Sequence, residues 1–207
     1  MSRRTNSGIR IALMTAAALV VGLPPHAQAG DRVAEPLRGE YGFTTQQNCV
    51  RTPFLPPGVS GFDPSTLQLL VDGEVAEAVG SGVMHFRKNG SVTVAAGGTD
   101  VLENQISTGQ MPVVPGTEYT CSGTYAVAPN KQQVTVTFPL CVVKTNSPGV
   151  TVTVGPLEFE GYVGTKRRAI NLSMLNGNIQ TVTIAVGGSV VEQRERICTQ
   201  TLTLDKL

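Results

Sequence analysis

Four stretches of the chain alternate large apolar side chains with small or polar ones, residue by residue. Val134, Val136 and Phe138 alternate with Thr135 and Thr137, and Val150, Val152 and Val154 with Thr151 and Thr153. Ile170, Leu172 and Met174 alternate with Asn171 and Ser173, and Val182, Ile184 and Val186 with Thr183 and Ala185. Successive side chains of a β-strand point to opposite faces, so a period of two gives each strand one apolar and one polar face; a helix would need a period of 3.6. One buried and one wet face is the habit of antiparallel sheets.

The intervening segments are turn chemistry. Asn89-Gly90, Pro129-Asn130, Asn146-Ser147-Pro148-Gly149, Asn176-Gly177 and Gly187-Gly188 each separate two candidate strands. Gly and Asn accept positive φ, and Pro presets a turn position. These links are too short for helical crossovers between parallel strands. The expected fold class is all-β: an antiparallel meander of about 8–10 strands forming a barrel or a barrel-like sandwich, since alternation does not distinguish closure from stacking.

Register adds detail. Met84 and Phe86 share a face with Val92 and Val94 if Lys88-Asn89-Gly90 forms a three-residue loop with Gly90 left-handed. Across Asn176-Gly177 a two-residue loop would oppose Leu172 to Thr181 and mismatch the faces, so an odd-length loop or a bulge is expected. Two stretches rich in Pro and Gly, Thr52 to Asp72 and Asp100 to Thr117, read as long connections, the kind that cross a barrel end or serve as binding loops. Helix is confined to a turn or two over Ser65 to Val71, with Pro64 suited to a first helical position.

The N-terminus reads as an export signal. Arg3, Arg4 and Arg10 precede a mostly apolar stretch, Ile11 to Leu23, and Ala27-Gln28-Ala29 has the small-x-small cleavage pattern. The apolar run falls short of the roughly 20 residues that span a bilayer. Residues 1–29 are therefore expected to be a signal peptide and 30–207 a single all-β domain, exported to the periplasm or the outside, with no membrane span after cleavage. Cleavage removes three of the 16 basic residues against 15 acidic ones, leaving a near-neutral chain that argues against nucleic acid as a partner. The one basic run, Lys166-Arg167-Arg168, reads as a solvated turn.

All four cysteines lie beyond residue 29, and an even count in an exported chain reads as two disulfides. Of three pairings, Cys121–Cys141 is favoured because both lie on the arms of the hairpin that turns near Pro129. Pairing Val127 with Val134 sets Cys121 beside Leu140, so a one-residue correction is needed, and Pro139 marks a bulge that supplies it. Cys49–Cys198 remains, joining the first strand to the last. Neither the cysteine spacing nor the single histidine of the domain, His85, suits zinc.

No cofactor or metal motif occurs, and no catalytic residue is assigned. His85 is expected on the face opposite Met84 and Phe86. Glu158 and Glu160 share a strand face, as do Asp72 and Glu74, which leaves a histidine-independent carboxylate enzyme as an alternative. Glu192-Gln193-Arg194-Glu195-Arg196 is polar on both faces. One account is charge protection of an edge strand. The other is that Arg194, Arg196 or Glu195 lines a barrel mouth and orients a ligand.

Arg38-Gly39-Glu40-Tyr41-Gly42-Phe43, Cys49, Gly61-Phe62-Asp63-Pro64 and Arg196-Ile197-Cys198 together resemble a group of exported bacterial proteins built as small β-barrels. Gly39-x-Tyr41 is similar to the G-x-W opening of lipocalins, with Tyr in place of Trp. The resemblance implies a calycin-like barrel and brings no activity with it. The functional expectation is a non-catalytic module holding a small apolar or amphipathic ligand; an envelope or surface interaction protein is the further alternative, and the oligomeric state stays open.

Overall fold

The computed structural model describes residues 36–102, 117–130, 132–145, 147–175 and 177–207. The expected signal peptide, 1–29, and most of the second long connection, 103–116, lie outside the described residues. Ten strands follow one another: β1 Gly39–Arg51, β2 Glu74–Phe86, β3 Ser91–Leu102, β4 Thr117–Val127, β5 Gln133–Val143, β6 Val150–Gly155, β7 Leu157–Val163, β8 Ala169–Met174, β9 Ile179–Val186 and β10 Ser189–Lys206. Every pairing is antiparallel.

These ten segments fill eight positions around a closed barrel. β6 and β7 run end to end along β5, separated at the Gly155–Pro156 cis peptide. β8 and β9 likewise run end to end along β10. β10 then returns to β1, from Tyr41 opposite Lys206 to Arg51 opposite Arg196. Closure decides for the barrel over the sandwich, and the architecture is consistent with a calycin-like fold.

One expected turn is not a turn between neighbours. Asn176-Gly177 does not fold β8 back on β9; the two strands continue in one direction. Between the Thr201–Ser173 and Ile197–Ile179 pairs, β10 advances four residues and its partner six, so the partner carries two extra residues in a stretch whose Asn176 lies outside the described residues. The mismatch of faces in a two-residue hairpin already pointed to this irregularity. Asn146, in the turn before β6, lies outside the described residues; the Asn89-Gly90 and Gly187-Gly188 turns stand as read. Met84 pairs with Val94 and Phe86 with Val92, and Gly90 has φ 84°. Gly187 and Gly188, both at positive φ, join Val186 to Ser189 in a two-residue hairpin. Over 65–71 only one turn forms, closed by Leu67 N–H donating to the Asp63 carbonyl; Leu67 at φ 59° then leaves the helical path.

Alternation sets the faces as expected. Tyr41, Phe43, Val134, Val136, Phe138, Ile170, Leu172, Leu202 and Leu204 are buried inside, while Thr44, Gln46, Asn48, Asn171, Thr199, Thr201 and Thr203 are exposed outside. A lipid-embedded barrel needs the reverse polarity on its outer band. Among the described residues no helix is long and apolar enough to cross a membrane.

Both disulfides form between directly opposed residues, Cys49 with Cys198 and Cys121 with Cys141. Val127 does pair with Val134, and the one-residue correction falls where Ser122 and Thr124 face Leu140 and Thr137, with Phe138 and Pro139 opposite Gly123 alone. Gly123 is required there, because a Cβ would overlap the Thr137 carbonyl.

The interior is not filled evenly. The end of the barrel holding the β2–β3, β4–β5 and β7–β8 turns is packed with aromatics. Phe86 meets Tyr41 and Tyr125 edge to face at 5.3 and 5.1 Å. The Tyr125 hydroxyl donates to the Leu37 carbonyl at 2.6 Å, and that of Tyr41 to the Arg167 carbonyl at 2.9 Å. Arg167 Nη1 in turn donates to the Pro36 carbonyl, so one of the three basic residues of this turn is structural, while Lys166 and Arg168 are exposed. Each fully buried large side chain here contributes roughly 1.5–3 kcal/mol.

Candidate functional site

Toward the opposite end, the inward positions of β2 and β3 shrink to Ala78, Gly80 and Gly98. Strand spacing is fixed by the backbone, so small residues at inward positions leave space rather than drawing the walls together. The result is a cavity of about 320 Å³ inside the barrel. Phe43, Met84 and Val94 line it on one side; Phe138, Val154 and Phe159 line it on the other, with Cys121 and Cys141 between.

The β1–β10 seam supplies a polar wall. Register stacks Arg51 opposite Arg196 and Gln47 opposite Gln200, with Thr45 opposite Leu202 below. All six line the cavity, as does Arg194. Glu74 Oε1 lies 2.8 Å from Arg51 Nε and 3.3 Å from Arg194 Nη1, so one carboxylate serves two guanidiniums. Arg196 Nε donates to the Oε1 of the buried Gln180 at 2.9 Å. The Arg194 guanidinium stacks over the Phe54 ring at 4.1 Å. Gln200 Nε2 donates to Thr45 Oγ1. Gln47 Nε2 is buried and has no hydrogen-bond partner among the described residues. Burial pushes the phenol of Tyr119, on the same lining, above its ordinary pKa, and the positive charge of Arg196 pulls the other way.

Alternation separates the three candidate residues of β10. Arg194 and Arg196 line the cavity, whereas Glu195 points to the outer face. There its carboxylate accepts from Gly61 N–H at 2.8 Å, Phe62 N–H at 3.0 Å and the Ser60 hydroxyl at 3.1 Å. The 52–73 connection is thus clamped against the outside of β10, aided by Thr52 N–H to the Glu195 carbonyl and by the Leu55–Gln193 bridge. Only its first residues reach the mouth, where Phe54 joins the lining. From Gln193 to Glu195 β10 is therefore no open edge: β9 flanks it on one side and this connection on the other.

Residues missed in the sequence are Arg51, Glu74 as its partner, and Gln47. A signal was present. Once Cys49 is paired with Cys198, Arg51 must face Arg196 on the same side of the sheet, and Gln47 must face Gln200. Of the carboxylates considered for catalysis, Glu74 stands at the cavity as the partner of Arg51 and Arg194, whereas Glu158 and Glu160 lie elsewhere. Glu160 is exposed on the outer face, and Glu158 on that face accepts from Asn178 Nδ2. His85 faces outward, opposite Met84 and Phe86 as expected, and is not part of the cavity lining. No group of three or more metal-ligating side chains occurs among the described residues. In comparison with known proteins, no family model and no curated protein matches the chain.

Proposed function

We propose that this is an exported, non-catalytic binding module whose barrel interior holds a small apolar or amphipathic ligand. The observation that carries this reading is the cavity of about 320 Å³, within the range of ligand pockets, which are concave, mostly apolar and supplied with a few convergent polar groups. Interiors pack to crystal-like density, so a space this size lined by small residues is a feature that needs a reason. Export rests on the signal-like residues 1–29 and is in keeping with two disulfides, which persist in oxidising compartments.

Native mass spectrometry of the protein recovered from the compartment to which it is exported tests the reading. The expected result is a reproducible extra mass that disappears on denaturation. Ala78→Leu, which places an isobutyl group in the cavity, is expected to keep stability within about 1 kcal/mol and lose that mass. A clean apo mass in the wild type, together with no uptake of added amphiphiles, would overturn it.

A further inference from the structure

We infer that the ligand is uncharged and carries an acceptor oxygen, a ketone or ester carbonyl, that takes the hydrogen of the Tyr119 hydroxyl, while its aromatic or short apolar part packs against Phe43, Phe138 and Phe159. This rests on the binding reading above and names its ligand class. Alternation along β4 turns Tyr119 inward together with Cys121, and both line the cavity. Its direct neighbours across the two ladders are Ala96 and Val143, neither of which has a polar side chain. β4 and β10 face each other across the ring of strands, and the positive charge of Arg196 on β10 acts on the Tyr119 phenol. The phenol therefore reaches into the interior.

Three tyrosines pack on the core, and they differ in one respect. The hydroxyls of Tyr41 and Tyr125 donate to backbone carbonyls at 2.9 and 2.6 Å. That of Tyr119 has no hydrogen bond among the described residues. A phenol withdrawn from water is ordinarily given a partner, and here it faces the cavity. Burial also holds this phenol above its ordinary pKa, so it stays a hydrogen-bond donor and calls for an acceptor.

The rest of the lining sets the charge and the size. Arg51 and Arg194 share Glu74, Arg196 donates to Gln180, and all three guanidiniums have further contacts. They are already engaged in the wall. A carboxylate entering the cavity would have to break those contacts or be buried unpaired, and a cation would meet like charge. A neutral molecule avoids both costs. Phe138 and Phe159 meet edge to face at 6.4 Å, and a ligand ring extends that arrangement. At about 30 Å³ per non-hydrogen atom, the share of a water molecule in the liquid, the cavity of about 320 Å³ takes on the order of ten atoms.

The test is calorimetric titration of the full chain with four molecules of similar size and shape: acetophenone, isopropylbenzene, benzoate and benzamidinium. In isopropylbenzene a methyl group replaces the carbonyl oxygen of acetophenone, and the last two carry opposite charges. Both neutral molecules are expected to bind, and both ions at least about tenfold more weakly than acetophenone. Tyr119→Phe, which removes only the hydroxyl, should weaken acetophenone about 3- to 10-fold and leave isopropylbenzene unchanged. In the wild-type chain the carbonyl stretch of bound acetophenone should move to lower frequency, as it does on accepting a hydrogen bond, and that shift should vanish in the variant. The charge series and the infrared shift decide the matter even if the variant fails to fold. Either ion binding best, an unshifted carbonyl, or an equal effect of Tyr119→Phe on both neutral molecules would overturn the inference and leave the binding reading standing. Uptake of none of the four would overturn both.

Discussion

The two halves of this barrel share the same eight strand positions and the same inward–outward alternation, yet differ in what they enclose. At the closed end Tyr41, Phe86 and Tyr125 interlock, and the hydroxyls of both tyrosines find backbone carbonyls. At the mouth the same strands turn Ala78, Gly80, Gly98 and three arginines inward. The backbone scaffold is common; side-chain volume and charge alone convert core into cavity. Cohesion is also supplied differently. Both disulfides lie in the cavity half, Cys49–Cys198 next to Arg51 on the seam and Cys121–Cys141 in the lining. Covalent staples stand where packing is missing.

The largest test of this contrast removes the staples. Replacing Cys49 and Cys198 by serine opens a separation of 149 residues and should cost about 5 kcal/mol in the chain-entropy account, against about 3 kcal/mol for the 20-residue separation of Cys121 and Cys141. Hydrogen exchange should rise first in the mouth half; uniform loosening would break the comparison. Next, Phe86→Ala should cost about 3–5 kcal/mol in denaturant unfolding, while Val182→Ala, on the cavity wall, should cost about 1.5 kcal/mol or less. Equal losses would mean that the mouth is as tightly packed as the closed end. Smallest is Glu195→Ala, which leaves the Ser60, Gly61 and Phe62 donors without their acceptor. A loss of about 1–3 kcal/mol is expected, with new proteolytic cleavage inside 52–73.

How far the sequence reached depends on the range of the interaction. Strands, faces and the 88–90 loop were legible because alternation and turn chemistry are local. The Cys121–Cys141 pair was legible because a single hairpin fixes its register, and Pro139 announced the bulge. Closure was legible only through the Cys49–Cys198 pairing, which joins the first strand to the last; alternation left a sandwich open, because closure depends on the accumulated tilt of eight strand positions, which no local pattern encodes. The Asn176-Gly177 reading shows the same limit: the face mismatch pointed to an irregularity, but that both flanks pair with β10 rather than with each other depends on the distant last strand. The mouth was half legible. The charged start of β10 drew attention to Arg194 and Arg196, but whether those residues sit at an edge or inside a ring depends on what flanks the strand. Arg51 and Gln47, on the first strand, join them only through the seam.

That seam also orders events in time. β1 forms its ladder with β2 early in the chain, but its other side waits for residues 196–206. Until they arrive, the eleven residues Tyr41 to Arg51 of β1 lack this partner along an open sheet edge. Contacts between such distant segments make assembly slow. A chain stalled or clipped before its last strand would therefore be left as a sticky open sheet, and completion of the C-terminal strand is the step that closes the sheet edge and completes the barrel.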